Sequence, residues 1–397
     1  MSLNILSKPF KIVADENMPH IEKLFGSVAD ITYRAGREIT AQDVRHADAL
    51  LCRSITSVDQ SLLANSNVQF VGTATIGIDH LDIPWLESKG IAWANAAGCN
   101  AAAVAQYVIS AIAFWLKRND KQFDEIKVGI VGAGNVGSEL ARCLEILGVD
   151  YLLCDPPLQK KMQSQTQKSQ VQIESAHKLK SFDEILRCDV VTLHVPITKV
   201  GEDKTLHLVD GEVLNRLKKD QLLINSARGE VINNVDLLTY LRAQNAASVI
   251  LDVFECEPDI DHELANLCLL ATPHIAGHTL EGKLRGSYMV YRAFCRQFNL
   301  PVEVDEADLY PEKNLFEICS ESPQENLLQF YDIERDSKRL LSVDAPYLAA
   351  HFDEMRKDYV TRCVDKPRRD YSGWQGKSEL SPVNADSEAI YQLMDLT

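Results

Sequence analysis

The sequence predicts an α/β protein with two doubly wound parallel-sheet domains and a small α+β domain at the C-terminal end. Two series of short, β-branched apolar runs alternate with helix-like segments, which is the pattern of parallel sheets covered by helices. A glycine-rich turn opens the second series. At 397 residues the chain is longer than one core usually supports, so two or three domains are expected.

The first series contains four strand-like runs, each followed by a polar or glycine-rich turn. They are Lys11–Glu16, Ala47–Ser54, Val68–His80 and Ile91–Gly98. A long apolar helix is predicted to follow from Asn100 to Leu116. This run is short for a membrane span and contains Gln106, so a buried helix is the favoured interpretation.

The second series contains six strand-like runs. They are Val128–Val131, Tyr151–Asp155, Asp189–Pro196, Gln221–Ala227, Ser248–Phe254 and Leu267–His274. The stretch Leu158–Ala176 is rich in Gln, Lys and Ser, and it is predicted to be a solvated loop. A helical pattern from Glu281 to Asn299 is expected to return to the first domain.

Charge and cysteine usage narrow the possible partners and compartment. The net charge of −16 argues against nucleic acid or an anionic membrane as the main partner, because both require a basic face. The ten cysteines are scattered without CxxC pairs, and no signal peptide opens the sequence. Free thiols in a reducing cytoplasm are therefore expected.

The glycine-rich turn has the features of a Rossmann-like dinucleotide site. Its glycines permit a tight turn, a close approach to a pyrophosphate and the packing of helix on strand, while the helix N-terminus offers N–H groups to phosphate. An acid ends the next strand, 18 positions after the last glycine, where a ribose ligand belongs. The predicted cofactor contacts are Gly132, Gly134, Asn135, Val136, Gly137 and Asp155.

The acid also indicates which dinucleotide is bound. The carboxylate of Asp155 would repel a 2′-phosphate, so NAD is predicted in preference to NADP. Lys160 and Lys161 lie nearby in the sequence, and their positive charges could weaken that preference.

Three polar side chains follow strands of the second series, where ligands of open α/β sheets bind. They are Arg228, Glu257 and His274. Oxidation of a hydroxy acid needs a cation for the carboxylate, a base for the hydroxyl proton and an acid that orients the base. Taken singly, the three could instead be a surface ion pair, a helix-start acid and a core histidine.

His274 and His278 stand four positions apart, which allows either half of a metal site or a proton shuttle. A metal site would need further Cys, His or acidic ligands at close spacing. We therefore predict no metal and assign the proton transfer to His274. His278 is left with two interpretations, a contact to substrate or cofactor and an ordinary surface residue.

The order of GxGxxG with a following Asp, NxARG, DVFxxEP and PHIAG resembles the D-2-hydroxyacid dehydrogenases over residues 11–299. The resemblance implies that Arg228 anchors the substrate, His274 is the acid and base, and Glu257 is its partner. It also implies further contacts to NAD and to substrate. The NAD contacts are Asp155, Val195, Asp252 and Gly277, and the substrate contacts are Ser54, Thr75 and His278. Two positions depart from the family, since His278 replaces a tyrosine and Val195 replaces a frequent threonine.

Several local stretches resemble one branch of this family, which oxidises a four-carbon 2-hydroxy acid with a terminal phosphate during vitamin B6 synthesis. They include VADENMP, CRSIT, CDPP and HIAGHTLEGKLRG. The branch implies a phosphorylated small-molecule substrate and a C-terminal domain involved in a homodimer. Independently of the resemblance, Arg53 in the CRSIT loop is a candidate phosphate ligand, although an ordinary polar loop is the alternative.

The predicted domains follow from these assignments. Residues 1–99 and 285–300 form a substrate-binding lid domain, residues 100–284 the NAD-binding domain, and residues 301–397 a dimerisation domain. Arg356 lies in a basic segment of the last one and is hypothesised to reach a partner's active site. Two other functions stay open: another dehydrogenase of the family, such as a phosphoglycerate dehydrogenase, and a dinucleotide-sensing scaffold like the corepressors that share the fold.

Overall fold

The computed structural model describes residues 10–165, 178–243, 245–316, 322–359, 368–369, 374–376, 389–390 and 392–393. The chain divides into two compact units, Met1–Asn100 with Leu280–Glu312, and Ala101–Thr279 with Lys313–Thr397. No helix among these described residues is long and apolar enough to cross a membrane.

Five strands alternate with four short helices in the first hundred residues. In chain order they are β1 (Phe10–Asp15), α1 (Ile21–Phe25), β2 (Ala29–Arg34), α2 (Ala41–Val44), β3 (Ala49–Cys52), α3 (Gln60–Leu63), β4 (Phe70–Thr73), α4 (Ile83–Ser88) and β5 (Ala92–Asn95).

Six more strands alternate with helices up to the end of the middle part of the chain. They are α5 (Ala101–Arg118), β6 (Lys127–Val131), α6 (Asn135–Ile146), β7 (Asp150–Cys154), α7 (Pro156–Gln165), α8 (Phe182–Ile185), β8 (Val190–Leu193), α9 (Gly211–Leu214), β9 (Leu222–Asn225), α10 (Asn234–Leu241), β10 (Ser248–Leu251), α11 (His262–Leu267) and β11 (Leu270–Ala271).

Among the described residues, a long helix and a C-terminal group of strands and helices follow. They are α12 (Leu280–Gln297), β12 (Asn314–Phe316), α13 (Pro323–Phe330), α14 (Ile333–Leu340), α15 (Leu348–Asp358) and β13 (Trp374–Gly376). Short 3₁₀ helices occur at Gly36–Glu38, Phe123–Glu125, Gly229–Val231, Glu306–Leu309 and Ala345–Tyr347.

The first unit is a five-stranded parallel sheet in the order β2-β1-β3-β4-β5. The strand order reverses between β1 and β3, and open α/β sheets generally bind ligands at the carboxyl ends of the strands beside such a point. Helix α12 closes one face of this sheet. Its buried Phe294 packs edge-on against Phe25 and Phe70, with ring centroids 5.3 and 5.7 Å apart. Helix α12 is therefore part of the first unit, as the sequence predicts.

The second unit is a six-stranded parallel sheet in the order β11-β10-β9-β8-β6-β7. Here the order reverses beside β6, so the turn after β6 stands at the switch point where dinucleotides bind. Helix α5 is buried along almost its whole length, with Tyr107 and Ile112 fully enclosed. The predicted α/β class with two doubly wound parallel sheets is confirmed.

The C-terminal residues add to the core of the second unit. Leu327 and Phe330 of α13 pack with the buried residues around α5. Phe352 and Met355 of α15 belong to a second hydrophobic cluster, which includes buried residues of β8, β9 and β10. The division by contacts groups residues 313–397 with the nucleotide-binding part, whereas the sequence analysis predicts a domain of their own for 301–397. That predicted division, with boundaries at 99, 285 and 300, stays a prediction.

Two secondary-structure expectations differ from the structure. The strand β2 was not predicted, because it is an edge strand in which only Ala29 is buried. The predicted loop at Leu158–Ala176 is wrong for its first part, where α7 continues to Gln165. The rest of that stretch, from 166 on, lies outside the described residues.

Candidate active site

The glycine turn after β6 has the shape that a pyrophosphate requires. Gly132 has φ +98°, and an added Cβ would lie 2.5 Å from the carbonyl oxygen of His194. An added Cβ on Gly137 would lie 1.9 Å from the carbonyl oxygen of Gly132, so helix α6 can pack on the strand only with glycine there. Val195 borders this turn, because its Cγ1 would be 3.1 Å from a Cβ on Gly132.

Gly134, in contrast, has open space around it. Apart from its own chain neighbours, no heavy atom of the described residues lies within 4 Å of the position that its Cβ would take. It caps α6 without a side chain that could close the helix N-terminus. Asn135 is exposed and Val136 is half-buried at the same helix start. These features fit the phosphates of NAD, which the first-turn N–H groups of α6 would hold.

Asp155 follows β7 and faces the glycine turn. One carboxylate oxygen accepts a hydrogen bond from the backbone N–H of Ala133 at 2.9 Å, and the other accepts from that of Leu158 at 2.8 Å. Lys160 forms ion pairs with Glu202 and Asp203 at 2.8 and 3.1 Å. Its charge is therefore partly neutralised, and the role of Asp155 in the preference for NAD stays a prediction.

The second unit brings His274 and Glu257 together. Nδ1 of the His274 imidazole lies 2.7 Å from Oε2 of Glu257. The other carboxylate oxygen accepts from the backbone N–H of Phe254 at 2.9 Å, which fixes the orientation of the acid. His274 has φ +55°, an uncommon backbone conformation for a residue with a side chain, and such residues concentrate at functional sites.

The environment keeps Glu257 ionised. Burial, the largest single influence, raises its pKa, but the charge and hydrogen bond of His274, the Phe254 amide and the charge of Arg356 together lower it below the ordinary value. A carboxylate that stays charged beside a histidine stabilises the protonated imidazole. The pair is thus suited to accept and return a proton.

Asp252 holds the loop that carries His274. Its carboxylate is buried and accepts hydrogen bonds from the backbone N–H groups of Ile275 and Ala276, both at 2.8 Å, and from the hydroxyl of Thr272 at 2.7 Å. The backbone carbonyl of Asp252 accepts from the N–H of His274 at 2.7 Å. The predicted contact of Asp252 to NAD stays a prediction.

The network under this loop extends to helix α5. Thr272 uses its hydroxyl hydrogen toward Asp252, so Tyr107 is the donor in the 2.7 Å contact between the two hydroxyls. Burial raises the pKa of Asp252, while the surrounding donors and His274 act in the opposite direction. Tyr107 and Thr272 were not singled out in the sequence, although Thr272 stands directly before the PHIAG motif.

Arg228 lies between β9 and the 3₁₀ helix at Gly229–Val231. Its Nη1 donates to the carbonyl oxygen of Ala227 at 2.8 Å, and its own carbonyl oxygen accepts from the side-chain amide of Asn225 at 2.9 Å. A Cβ on Gly229 would lie 2.0 Å from the backbone of Phe254. This contact brings the loop of Arg228 against the loop that leads to Glu257, so the structure gathers all three predicted catalytic residues in one unit.

His278 closes a turn of the same loop. Its backbone N–H donates to the carbonyl oxygen of Ile275 at 2.9 Å, with Gly277 inside the turn. Its ring lies edge-on to Tyr359, with centroids 6.3 Å apart. Both ring and turn belong to the second unit, and the role of His278 toward substrate stays a prediction.

The substrate candidates of the first unit lie at the ends of β3 and β4. Nε of Arg53 pairs with the buried carboxylate of Asp15 at 3.0 Å, across the point where the strand order reverses. Ser54 is exposed beside it. The hydroxyl of Thr75 donates to the carbonyl oxygen of Gly77 at 3.1 Å. These groups are described within their own unit, and their contact to substrate stays a prediction.

Arg356 lies on α15 within the second unit. It is half-buried, its guanidinium carbon lies 5.8 Å from the ring of Phe352, and its charge helps to lower the pKa of Glu257 in the same chain. The hypothesis that it reaches a partner's site stays untested. Within the described parts of the chain, no group of three or more His, Cys, Asp or Glu side chains is arranged to hold a metal ion.

Comparison with known proteins identifies the family. Residues 110–276 match the family described as "D-isomer specific 2-hydroxyacid dehydrogenase, NAD binding domain". Among solved structures, a 3-phosphoglycerate dehydrogenase of Entamoeba histolytica with bound NAD+ shares the fold, with a TM-score of 0.61 at 21% identity over 75% of this chain and 99% of that one. A D-lactate dehydrogenase of Aquifex aeolicus gives a TM-score of 0.59 at 19% identity, covering 73% and 95%.

The curated relatives are much closer in sequence. An erythronate-4-phosphate dehydrogenase of Marinobacter nauticus is 44% identical over 362 residues, which cover 88% of this chain and 92% of the relative. Its counterpart in Acinetobacter baumannii is 42% identical over 358 residues, covering 89% and 97%. The chain therefore belongs to the erythronate-4-phosphate dehydrogenases, within the D-2-hydroxyacid dehydrogenase family.

Proposed function

We propose that this chain oxidises 4-phospho-D-erythronate to 2-oxo-3-hydroxy-4-phosphobutanoate with NAD, a step of pyridoxal 5′-phosphate (vitamin B6) biosynthesis. The observation that carries the proposal is the 2.7 Å pair of His274 and Glu257 in a chain 44% identical to an erythronate-4-phosphate dehydrogenase. NAD, when bound, supplies the acceptor for the hydride that leaves C2 of the hydroxy acid.

The proposed roles follow from the chemistry of each side chain. His274 takes the proton of the C2 hydroxyl as the C–O bond becomes a carbonyl. Glu257 orients the imidazole through Nδ1 and stabilises its positive charge. Arg228 holds the substrate carboxylate, because a guanidinium can donate two parallel hydrogen bonds to it.

The phosphate end of the substrate is assigned to the first unit. Arg53 supplies a guanidinium, and Ser54 and Thr75 supply hydroxyls, which together suit a phosphate group. His278 replaces the family tyrosine and, when protonated, would favour an anionic substrate. Each of these four contacts is a proposal that substitution can test separately.

The contacts to NAD are also proposed from the chemistry of the groups at the site. The N-terminus of α6 and the turn at Gly132 and Gly134 would hold the pyrophosphate, and Asp155 the adenine-side ribose. Val195, Asp252 and Gly277 complete the proposed set. No contribution of a metal ion enters the proposed chemistry, since the imidazole and guanidinium supply the base and the cation.

The enzyme is proposed to work as a homodimer in the cytoplasm, without nucleic acid or membrane as a partner. The eight cysteines in the described residues are all free, as suits a reducing compartment. The resemblance of the C-terminal segment to a dimerisation domain supports the dimer.

The function is tested by following NADH formation with three acids: 4-phospho-D-erythronate, D-erythronate and 3-phospho-D-glycerate. Selective turnover of the first is expected. Turnover of 3-phospho-D-glycerate instead would support the proposed reaction mechanism but contradict the proposed substrate. Binding of NAD without turnover of any 2-hydroxy acid would support a dinucleotide-sensing scaffold and contradict the proposal.

A further inference from the structure

Arg368, from the C-terminal part of the chain, is buried against the loop that carries His274. Only 6% of the residue is exposed. Its Nη1 donates to the carbonyl oxygen of Ile275 at 2.8 Å, and its Nη2 donates to the carbonyl oxygen of Ala103 at 2.8 Å and to Oε1 of Gln106 at 3.4 Å. Its guanidinium carbon lies 4.0 Å from the ring centroid of Tyr331, so one face of the cation is covered by an aromatic ring.

The bond to Ile275 completes a specific arrangement around one peptide group. The N–H of the Ile275–Ala276 peptide donates to the carboxylate of Asp252 at 2.8 Å, while its C=O accepts from Arg368 at 2.8 Å and from the backbone N–H of His278 at 2.9 Å. A carboxylate thus holds the positive end of the peptide dipole and a guanidinium holds the negative end. Hydrogen bonds to charged groups are the stronger ones, so this peptide is fixed from both sides.

The position of this peptide determines where the imidazole lies. His274 directly precedes it and has φ +55°, a conformation that persists only where the surroundings hold it. The carboxylate of Asp252 accepts from the N–H groups of Ile275 and Ala276, and a carboxylate cannot donate to the carbonyl oxygen of Ile275. The guanidinium of Arg368 donates to that carbonyl oxygen, and without Arg368 the buried carbonyl would lose its charged donor.

Other residues of the C-terminal segment support the same region. Ser337 of α14 accepts a hydrogen bond from the backbone N–H of Ala271 at 3.0 Å, just before the loop begins. Tyr359 donates to the buried carboxylate of Asp336 and presents its ring to His278. Gln106 donates to the backbone carbonyl of Arg369 at 3.1 Å, which ties the short described segment at 368–369 to helix α5.

We propose that Arg368 is a positioning residue for the reaction, which holds the Ile275–Ala276 peptide and thereby keeps His274 aligned with Glu257. The inference deepens the proposed function and rests on it for the role of His274. It assigns the C-terminal segment a part in turnover within its own chain, in addition to any part in dimer formation. Arg368 does not touch the reacting atoms, so its loss should lower the rate more than it weakens binding.

The test uses the full chain with Arg368→Met, which keeps much of the side-chain volume and removes the charge and all donors. Lys338→Met is the matched control, because Lys338 is on α14 of the same segment, its side chain is 71% exposed, and it forms a surface ion pair with Glu334. Active sites are counted by titration with NADH. Hydrogen exchange of the backbone is followed by mass spectrometry in the absence of substrate.

We expect kcat per NADH site to fall about 10- to 100-fold in Arg368→Met, with KM for NAD and for 4-phospho-D-erythronate changed by no more than about threefold. Peptides that cover residues 272–279 should exchange faster, while those that cover β6 and the glycine turn should not change. Lys338→Met should match the wild type in both measurements. Arg368→Lys, which keeps the charge and one donor to Ile275, should recover part of the lost kcat.

A wild-type kcat per NADH site in Arg368→Met would overturn the proposal, even if fewer sites were folded, because the arginine would then serve folding alone. Unchanged exchange over residues 272–279 would overturn it as well. If the methionine variant does not fold, Arg368→Gln is measured against the same thresholds. A wild-type enzyme that does not oxidise 4-phospho-D-erythronate would contradict the proposed function, whereas the exchange experiment would still decide whether Arg368 holds the loop.

Discussion

Oε2 of Glu257 lies 2.7 Å from Nδ1 of His274, and the second oxygen of the same carboxylate is held by the backbone N–H of Phe254. Because a carboxylate accepts, Nδ1 carries a hydrogen, and Nε2 is the ring nitrogen that can exchange a proton with a substrate. This hydrogen bond leads to separate predictions for substitutions of Glu257 and of His274.

Replacement of Glu257 by glutamine should lower kcat strongly while leaving NAD binding almost unchanged. The amide keeps the shape, but it has one acceptor oxygen where the carboxylate accepts from both Nδ1 of His274 and the Phe254 N–H, and it carries no charge to stabilise a protonated imidazole. In hydrolases an equivalent Asp→Asn change costs about 10⁴-fold, and we expect a loss of at least about 100-fold here. Steady-state kinetics with 4-phospho-D-erythronate measures it, and a variant within about threefold of wild-type kcat would contradict the role of Glu257.

The lowered pKa of Glu257 also predicts how stability depends on pH. A carboxyl whose pKa is lower in the folded state binds fewer protons there, so it stabilises the fold above its unfolded pKa. That stabilisation is lost as the pH falls from the ordinary value of 4.5 through the lowered folded value. Wild type should therefore have a higher free energy of unfolding than Glu257→Gln at neutral pH, and this difference should be smaller at acidic pH.

Urea unfolding of both proteins at neutral pH and below the ordinary glutamate pKa measures this difference. Glu87→Gln on α4 is the control, because Glu87 is exposed and should show no such convergence. A difference between wild type and Glu257→Gln that grows on acidification would refute the assigned direction.

Asp155 should determine the choice between NAD and NADP. Its carboxylate faces the glycine turn through Ala133, and Lys160 is engaged by Glu202 and Asp203, so a 2′-phosphate would meet uncompensated negative charge. Wild type should prefer NAD by at least about 100-fold in kcat/KM, and Asp155→Ser should reduce that ratio at least about tenfold. Equal use of both cofactors by the wild type would show that another residue controls the choice.

Arg53 is expected to contribute to binding of the substrate phosphate and not to the transfer of hydride from C2. Its pair with the buried Asp15 fixes the guanidinium at the end of β3. Arg53→Gln is expected to raise KM for 4-phospho-D-erythronate at least about tenfold, with a smaller effect on unphosphorylated D-erythronate. Parallel losses with both acids would indicate that Arg53 supports the fold of the loop rather than the phosphate. Arg37→Gln, a nearby arginine outside the proposed site, provides the comparison.

The sequence alone was sufficient to predict those parts of the fold and site that local sequence patterns encode. The alternation of β-branched runs and helices predicted both parallel sheets, and the spacing of Gly132, Gly134 and Gly137 predicted the turn that the structure shows. His274 and Glu257 are 17 positions apart, yet both follow strands of one sheet, so the topology rule predicted that both lie at the cofactor edge, and the family resemblance predicted that they pair.

Other features have no local signal. In strand β2 only Ala29 is buried and Ile31 half-buried, so the strand lacks an apolar run. Helix α7 has a mostly polar sequence without a wide apolar stripe. It starts where the carboxylate of Asp155 accepts from the N–H of Leu158, a contact that periodicity does not reveal. Arg368 is 93 positions from Ile275, and only the fold shows that the two are bonded.

The most direct test of the account is the rate of NADH formation in a single turnover of 4-phospho-D-erythronate by wild type and by His274→Asn, with NADH sites counted in each. We expect rapid formation by the wild type and a loss of about 10²–10⁴-fold in the variant, with NAD binding retained. A variant that forms NADH at close to the wild-type rate would contradict the assignment of His274 as the base, and with it the proposed chemistry of the site.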